Sequence, residues 1–286
     1  MGTLRFGIKT APQHTTYPAM LRVWQEADAT PPFEHAWLFD HFSPITGDTP
    51  DGPCYEGFTL LAALAAQTSN IRVGLMVAGN TYRHPAVLAH MGATIDVISN
   101  GRFDMGIGAG WNEYEHRSMG LELYAPGERI RRLGEACEII KRLYAQELTD
   151  FDGRYYHLQE ARCDPKPVQK PYPPFVIGGG GEQLTLRITA QYADVWNFAG
   201  GPVETFTHKV QVLHDHCAAV GRDPAAIELS VQMLVNYDNF DETIQKLQEF
   251  VDAGATHLIL NLRYPYPDGI VARMASELVP RIKPKA

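Results

Sequence analysis

Short, almost continuously apolar runs alternate with helical patterns along most of this chain. Strands of a parallel sheet have this composition because helices cover both faces of the sheet. Eight runs are predicted as strands: Leu4–Lys9, Ala36–Asp40, Ile71–Val77, Phe103–Ile107, Pro174–Ile177, Asp194–Phe198, Ile227–Val235 and His257–Leu260. In a chain of 286 residues, this pattern favours a closed (β/α)8 TIM barrel over an open doubly wound sheet. The chain shows no linker and no internal repeat, so one domain over residues 1–286 is expected.

Apolar residues at spacings of three and four predict helices between these strands. Helices are expected over 84–99, where Pro85 suits a first turn, over 126–145, and over 241–253, where Asp241 is a candidate N-cap. The basic residues of the second of these helices are expected on an exposed face: Arg129, Arg131, Arg132, Lys141 and Arg142. The segment 149–174 is long and rich in proline, so we predict a short hairpin and an extended segment packed against the barrel.

Composition limits the function classes. The formal charge is −8, from 25 basic and 33 acidic residues without long blocks of either sign, which argues against nucleic acid or an anionic membrane as partner. We find no signal-peptide pattern and no run of about 18 apolar residues. Four cysteines lie far apart and are expected as reduced thiols of a cytoplasmic protein: Cys54, Cys137, Cys163 and Cys217.

No metal site is expected. His208, His214 and His216 fall on a predicted helix, where residues two apart point to different faces, so a solvated helix face is the simpler interpretation. Neither the HExxH pattern nor the cysteine and histidine spacing of a zinc site occurs. GxSxG and P-loop patterns are also absent from the sequence.

Two glycine loops follow predicted strands. Gly106, Gly108 and Gly110 end the run that starts at Phe103, and glycine lets a backbone approach a ligand closely. Gly178–Gly181 follows another strand and opens a predicted helix over 182–191, where free N–H groups and the helix dipole favour an anion. A tight structural turn is the alternative for either loop. Together, the loops favour a flat aromatic cofactor whose phosphate is held by backbone amides.

The pair Asp40–His41 also lies at a strand end. In a barrel, function resides at the C-terminal ends of the strands, where a histidine can move a proton and an aspartate can fix its tautomer. A capping aspartate beside a hydrogen-bonded histidine is the structural alternative. Lys9 and Asn112 occupy comparable positions after other strands.

Taken together, these residues resemble the luciferase-like monooxygenase superfamily, and within it the branch that uses coenzyme F420, a deazaflavin. The resemblance runs over nearly the whole chain, and its most specific parts are Phe6–Thr10, Phe39–Phe42, Tyr82–Leu88, Gly101–Glu113 and Phe151–Tyr156. It implies a barrel with a flavin-like ring at the strand ends and a homodimer in solution.

The resemblance also implies roles for particular residues. Asp40 and His41 match residues beside the reactive face of the deazaflavin, with His41 supplying the proton that accompanies hydride transfer. Met76–Val77 matches a bulge behind the ring that often carries a non-prolyl cis peptide. The positions that match phosphate-binding backbone are Ala109, Gly110, Gly178, Gly179, Gly180 and Gly181.

The chain departs from the deazaflavin-dependent sugar-phosphate dehydrogenases. Trp111 stands where they have a glutamate acid, Ile45 stands where they have a tryptophan, and Val235 passes quickly to Asp241 without their substrate-phosphate insertion. Glucose-6-phosphate is therefore not the expected substrate. A more open, apolar substrate pocket is predicted, lined by Lys9, Trp37, Tyr82, His84, Trp111 and Trp196.

The leading hypothesis is an F420-dependent oxidoreductase acting on a small alcohol, carbonyl or unsaturated compound. An FMN-dependent monooxygenase on the same scaffold is the first alternative. A flavin-binding barrel without catalysis is the second, because a fold alone does not establish catalysis.

Overall fold

A computed structural model describes residues 3–285. Eight parallel strands close into a barrel, numbered here in chain order: β1 (Arg5–Thr10), β2 (Phe33–Leu38), β3 (Arg72–Leu75), β4 (Phe103–Gly108), β5 (Phe175–Gly178), β6 (Val195–Phe198), β7 (Glu228–Leu234) and β8 (His257–Leu262). Each strand pairs with the next, and β1 pairs with β8 to complete the circle. The predicted TIM barrel is confirmed, with strand ends shifted by a few residues.

Helices surround the barrel. Their bounds are Tyr17–Asp28, Gly57–Ala65, Pro85–Ile98, Glu113–Met119, Pro126–Ala145, Thr185–Tyr192, Val203–Val220, Phe240–Asp252 and Ile270–Arg273, the last continuing through one π turn and one 3-10 turn. The side chain that caps the helix starting at Phe240 is Asn239, so the prediction of Asp241 as the cap was wrong. The helix predicted from residue 182 begins at Thr185, because the glycine run passes first through a turn.

The backbone after the third strand lies so close to β4 that Gly106 and Gly108 have no room for a side chain. After Leu75, the peptide bond between Met76 and Val77 is cis, as the resemblance implies, and Ala78–Gly79 then pairs with β4. A Cβ on Gly106 would lie 1.7 Å from the Leu75 carbonyl oxygen, and one on Gly108 would lie 2.7 Å from Val77 Cγ2. Gly106 therefore makes room for the neighbouring strand, and its predicted role in approaching a ligand was wrong.

The segment after the fourth strand forms the predicted hairpin, with Thr149–Asp152 antiparallel to His157–Ala161. The expectation of an exposed basic face on helix Pro126–Ala145 was partly wrong. Lys141 packs over Tyr172 and donates to the Tyr192 carbonyl, and Arg129 reaches the barrel mouth.

All four cysteines are free thiols, three of them buried. Within residues 3–285, no helix combines the length and the apolar character that crossing a membrane requires.

Candidate active site

A cavity of about 450 Å³ opens at the C-terminal ends of the barrel strands. Many of the predicted site residues line it: Lys9, Asp40, His41, Met76, Val77, Tyr82, Ala109, Gly110, Trp111, Gly178 and Gly179. The barrel thus brings together residues from five separate strand ends. Trp111 is 60% exposed and lies edge-on to the His41 ring, so one wall of the cavity is an exposed aromatic side chain.

Glu115 forms the polar centre of this site, and the sequence analysis did not single it out. Its carboxylate is fully buried and accepts four hydrogen bonds. The backbone N–H groups of Phe42 and Ser43 donate to Oε1 over 2.6 and 2.9 Å. On Oε2, His41 Nδ1 donates over 2.7 Å and the Tyr82 hydroxyl donates as well. Every acceptor position of the carboxylate is therefore engaged.

This arrangement fixes the tautomer of the neutral His41 ring. Burial alone would raise the pKa of Glu115, but the hydrogen bonds from His41 and Tyr82 and from backbone hold it below its ordinary value. Because an ionised carboxylate only accepts, His41 Nδ1 carries a hydrogen and Nε2 of the neutral ring is free to accept a proton. Nε2 has no protein partner among residues 3–285, and His41 lines the cavity. The ring can act there as a general base and, once protonated, as an acid.

Asp40 lines the cavity as predicted but has different partners from the one predicted. Its carboxylate is fully buried and is held by Arg83 in two hydrogen bonds of 2.7 and 3.0 Å and by the Gly79 N–H over 3.2 Å. Arg83 also pairs with Glu56. The prediction that Asp40 fixes the tautomer of His41 was wrong, since Glu115 does so. Asp40 instead ties the strand end after β2 to the loop that carries Arg83.

A sequence signal for Glu115 does exist. Asn112 caps helix Glu113–Met119, its side chain accepting from the Glu115 N–H over 3.2 Å. An asparagine followed three residues later by glutamate resembles a capping box. The same cap shows that the Asn112 side chain serves the helix and does not line the cavity.

Three predicted pocket residues lie outside the cavity, so those predictions were wrong. Trp37 is buried inside the barrel below it, stacked on His35 at 5.7 Å. Trp196 faces the outer helices, stacked on Phe206, and its Nε1–H donates to the Gly179 carbonyl over 2.8 Å. His84 is exposed and caps helix Pro85–Ile98 through its Nδ1.

The second glycine loop contributes only its first half to the cavity. Gly178 and Gly179 line it, and Gly179 has φ +114°, which favours glycine. Gly180 and Gly181 lie outside the cavity wall. Arg129 lines the same side, and its Nε is buried without a protein partner among the described residues. A buried unpaired donor of this kind indicates a place for an anionic or polar ligand atom.

The three clustered histidines lie on helix Val203–Val220. His208 is exposed and contacts Glu182 Oε1, whereas His216 is half-buried and donates through Nε2 to the Glu182 carbonyl. The prediction of a solvated face holds for His208 and was wrong for His216.

Comparison with protein families identifies the scaffold. The model of the family described as luciferase-like monooxygenase matches residues 4–277. The chain belongs to the luciferase-like monooxygenase family. One luciferase-like relative is a protein named pyrimidine monooxygenase RutA from Stutzerimonas stutzeri (strain A1501), 35% identical over 208 residues. That match covers 70% of this chain and 55% of the relative, so the chain spans about half the length of the curated relatives it matches.

Solved luciferase-like structures share the fold. An F420-dependent secondary alcohol dehydrogenase in complex with an F420–acetone adduct superposes with a TM-score of 0.88 at 17% identity, covering 98% of this chain and 99% of that one. The monooxygenase RslO1 from Streptomyces bottropensis superposes with a TM-score of 0.77 at 20% identity, covering 98% and 100%. The same barrel therefore carries both a dehydrogenase and a monooxygenase.

Proposed function

We propose that this chain is an F420-dependent oxidoreductase that transfers hydride between the deazaflavin and a small alcohol, carbonyl or unsaturated compound. The observation that carries the proposal is the free Nε2 of His41, held towards the cavity by the buried Glu115 carboxylate. Oxidation of an alcohol releases a proton together with a hydride. His41 is placed to accept that proton, and Glu115 stabilises the imidazolium that results.

The cavity fits a flat ring with an anionic tail. The side chain of Val77 and the backbone of Gly108 and Gly178 form one continuous wall, where a Cβ on Gly178 would contact Val77 at 3.3 Å. Such a wall would support a ring, whereas Gly179 and the unpaired Nε of Arg129 would hold a phosphate. When bound, a deazaflavin supplies a ring carbon that gives or takes a hydride.

A basic groove favours F420 over FMN. Three arginines line a groove of about 360 Å³ between helices Pro126–Ala145 and Thr185–Tyr192: Arg131, Arg154 and Arg187. The groove adjoins the cavity along the chain, since Ile130, next to Arg131, and Thr185, two residues before Arg187, line the cavity. None of the three arginines forms an ion pair with a carboxylate among residues 3–285. F420 continues beyond its phosphate into glutamate residues, whereas FMN ends at the phosphate, so only F420 has charges for this groove.

The carboxylate in the groove does not neutralise the arginines by pairing. Glu135 lies there, but its oxygens accept the backbone N–H groups of Arg154, Tyr155 and Tyr156 over 2.8 to 3.2 Å. It therefore holds the tip of the hairpin and fixes Arg154 beside the other two arginines.

The test is a set of binding titrations. Fluorescence titration should show tighter binding of F420 than of FMN. Arg187→Glu should weaken the binding of F420 by about tenfold, since one favourable charge contact becomes repulsive. The affinity for deazariboflavin, which lacks the tail, should be unchanged. Arg281→Glu, which changes an arginine outside both cavities, is the matched control. Tighter binding of FMN, or no effect of Arg187→Glu, would overturn the choice of F420.

A flavin-dependent monooxygenase is the second candidate, and the pyrimidine monooxygenase relatives favour it. Oxygen incorporation into product with reduced FMN, without substrate-dependent oxidation of reduced F420, would establish it. A barrel that only binds flavin would show neither reaction.

The homodimer and the cytoplasmic location expected from the family belong to the same proposal, and sedimentation of the purified protein tests the dimer.

A further inference from the structure

Five polar side chains cross the floor of the barrel mouth beside the acid–base pair: Lys9, Asn197, Ser230, Gln232 and Asn261. They come from β1, β6, β7 and β8, and the strand register places Lys9 beside Asn261. Lys9 lines the cavity that holds His41 and also an adjoining cavity of about 360 Å³. Asn261 lines the adjoining cavity, so the two residues face one continuous space.

One cation sets the direction of every hydrogen bond in this row. An ammonium group only donates, so the 2.7 Å contact from Lys9 Nζ identifies the Gln232 atom as the oxygen Oε1. Gln232 Nε2 must then donate, and it does so to Asn197 Oδ1 over 3.1 Å. Asn197 Nδ2 in turn donates to Ser230 Oγ over 3.1 Å.

The same rule orients Asn261. Its Nδ2 donates to the second lone pair of Gln232 Oε1 over 3.3 Å. Asn261 Oδ1 is therefore turned away from the row, and it is buried with no hydrogen-bond partner among residues 3–285. Lys9 uses one of its three N–H groups on Gln232. A lysine with spare N–H groups and an asparagine with a buried, unpaired acceptor thus both contact one glutamine oxygen.

We propose that Lys9 and Asn261 form a subsite for the amide edge of a substrate, in which a carbonyl oxygen and an N–H lie on the same side. Lactams, cyclic imides and primary carboxamides have this edge. The carbonyl accepts from Lys9 and the N–H donates to Asn261 Oδ1. A ketone leaves the Asn261 acceptor unpaired, so it is disfavoured. The inference deepens the proposed function, since it concerns the molecule that reacts in the same cavity.

The test is binding of small ring probes to the cofactor-free protein, measured by ligand-observed NMR. The probes are δ-valerolactam, glutarimide, cyclohexanone and cyclohexanol, which have similar size. Wild type should bind the lactam and the imide about tenfold more tightly than the ketone, the discrimination expected for one satisfied buried hydrogen bond. Asn261→Leu should bring all four affinities to the level of the ketone.

Two further variants keep the test decisive. Lys9→Met removes the donor that the lactam and ketone carbonyls share and leaves Asn261 in place, so it should weaken the binding of both probes while the lactam preference persists. Asn236→Leu changes an asparagine outside both cavities and should retain the preference. Equal binding of all four probes, binding of cyclohexanol as tight as that of the lactam, a lactam preference that survives in Asn261→Leu, or an unchanged lactam affinity in Lys9→Met would overturn the subsite. Because no cofactor is present, this result is independent of whether the protein uses F420.

Discussion

Two histidines at opposite ends of strand β2 each contact a buried carboxylate. At the C-terminal end, His41 Nδ1 lies 2.7 Å from Glu115. At the N-terminal end, His35 Nε2 lies 3.3 Å from Asp104, where both side chains are buried. The two pairs have the same chemical groups, so the difference in their surroundings must determine what each can do.

Cations distinguish the two ends. Arg72 binds the Asp104 carboxylate, and Arg5 donates to His35 Nε2 over 2.9 Å. Both groups of the lower pair are therefore occupied by arginines that cannot give up a proton. At the upper end no arginine of the described residues 3–285 contacts Glu115, and His41, whose Nε2 has no partner among them, lines the cavity. A histidine–carboxylate pair becomes a candidate for proton transfer only where an unpaired ring nitrogen belongs to a residue that lines a cavity, and the unpaired Nδ1 of His35 is buried.

The largest expected effect comes from His41→Ala. It removes the only ring nitrogen that the upper pair presents to the cavity, so turnover should fall roughly 10²–10⁴-fold, the usual contribution of a general acid or base. Cofactor affinity should hold within about twofold, since Gly179 and Arg129 remain. Steady-state kinetics and fluorescence titration measure the two quantities. His35→Ala is the matched control and should keep its turnover per folded molecule. Equal losses in both variants would contradict the distinction between the two ends.

The second expectation concerns the lower end. Arg72→Met leaves the Asp104 charge buried without its main cation, and breaking a buried pair in this way costs about 3 kcal/mol of unfolding free energy. Urea unfolding should show this loss, whereas kcat of the folded protein should be unchanged. Arg22→Met, which removes an exposed pair with Asp268, should change the unfolding free energy by less than about 1 kcal/mol. A large loss of kcat in Arg72→Met would show that the lower pair communicates with the cavity.

The sequence indicated the barrel because eight buried strands and the apolar stripes of the helices leave a strong periodic pattern. It also placed His41 and Lys9 at one rim, since the carboxyl ends of parallel strands meet there. Glu115 could not be assigned by the same rule, because it lies on a helix after the strand and its acceptors are satisfied by backbone and side chains distant in sequence. The prediction that Trp37 and Trp196 line the substrate pocket was wrong for a related reason. A strand residue faces the barrel interior or the helices depending on register, which a short apolar run does not define.

The third expectation separates charge from hydrogen bonding in the upper pair. Glu115→Gln keeps the shape of the side chain, but its NH₂ group faces donors and it cannot stabilise an imidazolium. Turnover should fall roughly 10- to 100-fold, less than in His41→Ala because the ring itself remains. The effect should appear in kcat more than in KM, since Glu115 is buried and does not line the cavity. Glu113→Gln, on the same short helix, is the control and should retain activity. Unchanged kcat in Glu115→Gln would mean that Tyr82 and backbone alone orient His41.

The smallest expected effect is on acid stability, and it uses the same variant. The pKa of Glu115 in the folded chain lies below its ordinary value of 4.5 because hydrogen bonds to the carboxylate outweigh its burial. The unfolded chain therefore binds this proton more readily, so the ionised carboxylate stabilises the fold above the unfolded pKa, and that contribution is lost as the pH falls through the folded one. Wild type should unfold at a higher temperature than Glu115→Gln at pH 6, and the difference should narrow towards pH 3.5. Replacing the exposed Glu277 by glutamine should give no such pH-dependent difference. If the difference instead grew on acidification, the Glu115 carboxyl would have to be protonated in the folded protein, and the hydrogen on His41 would then belong on the other ring nitrogen.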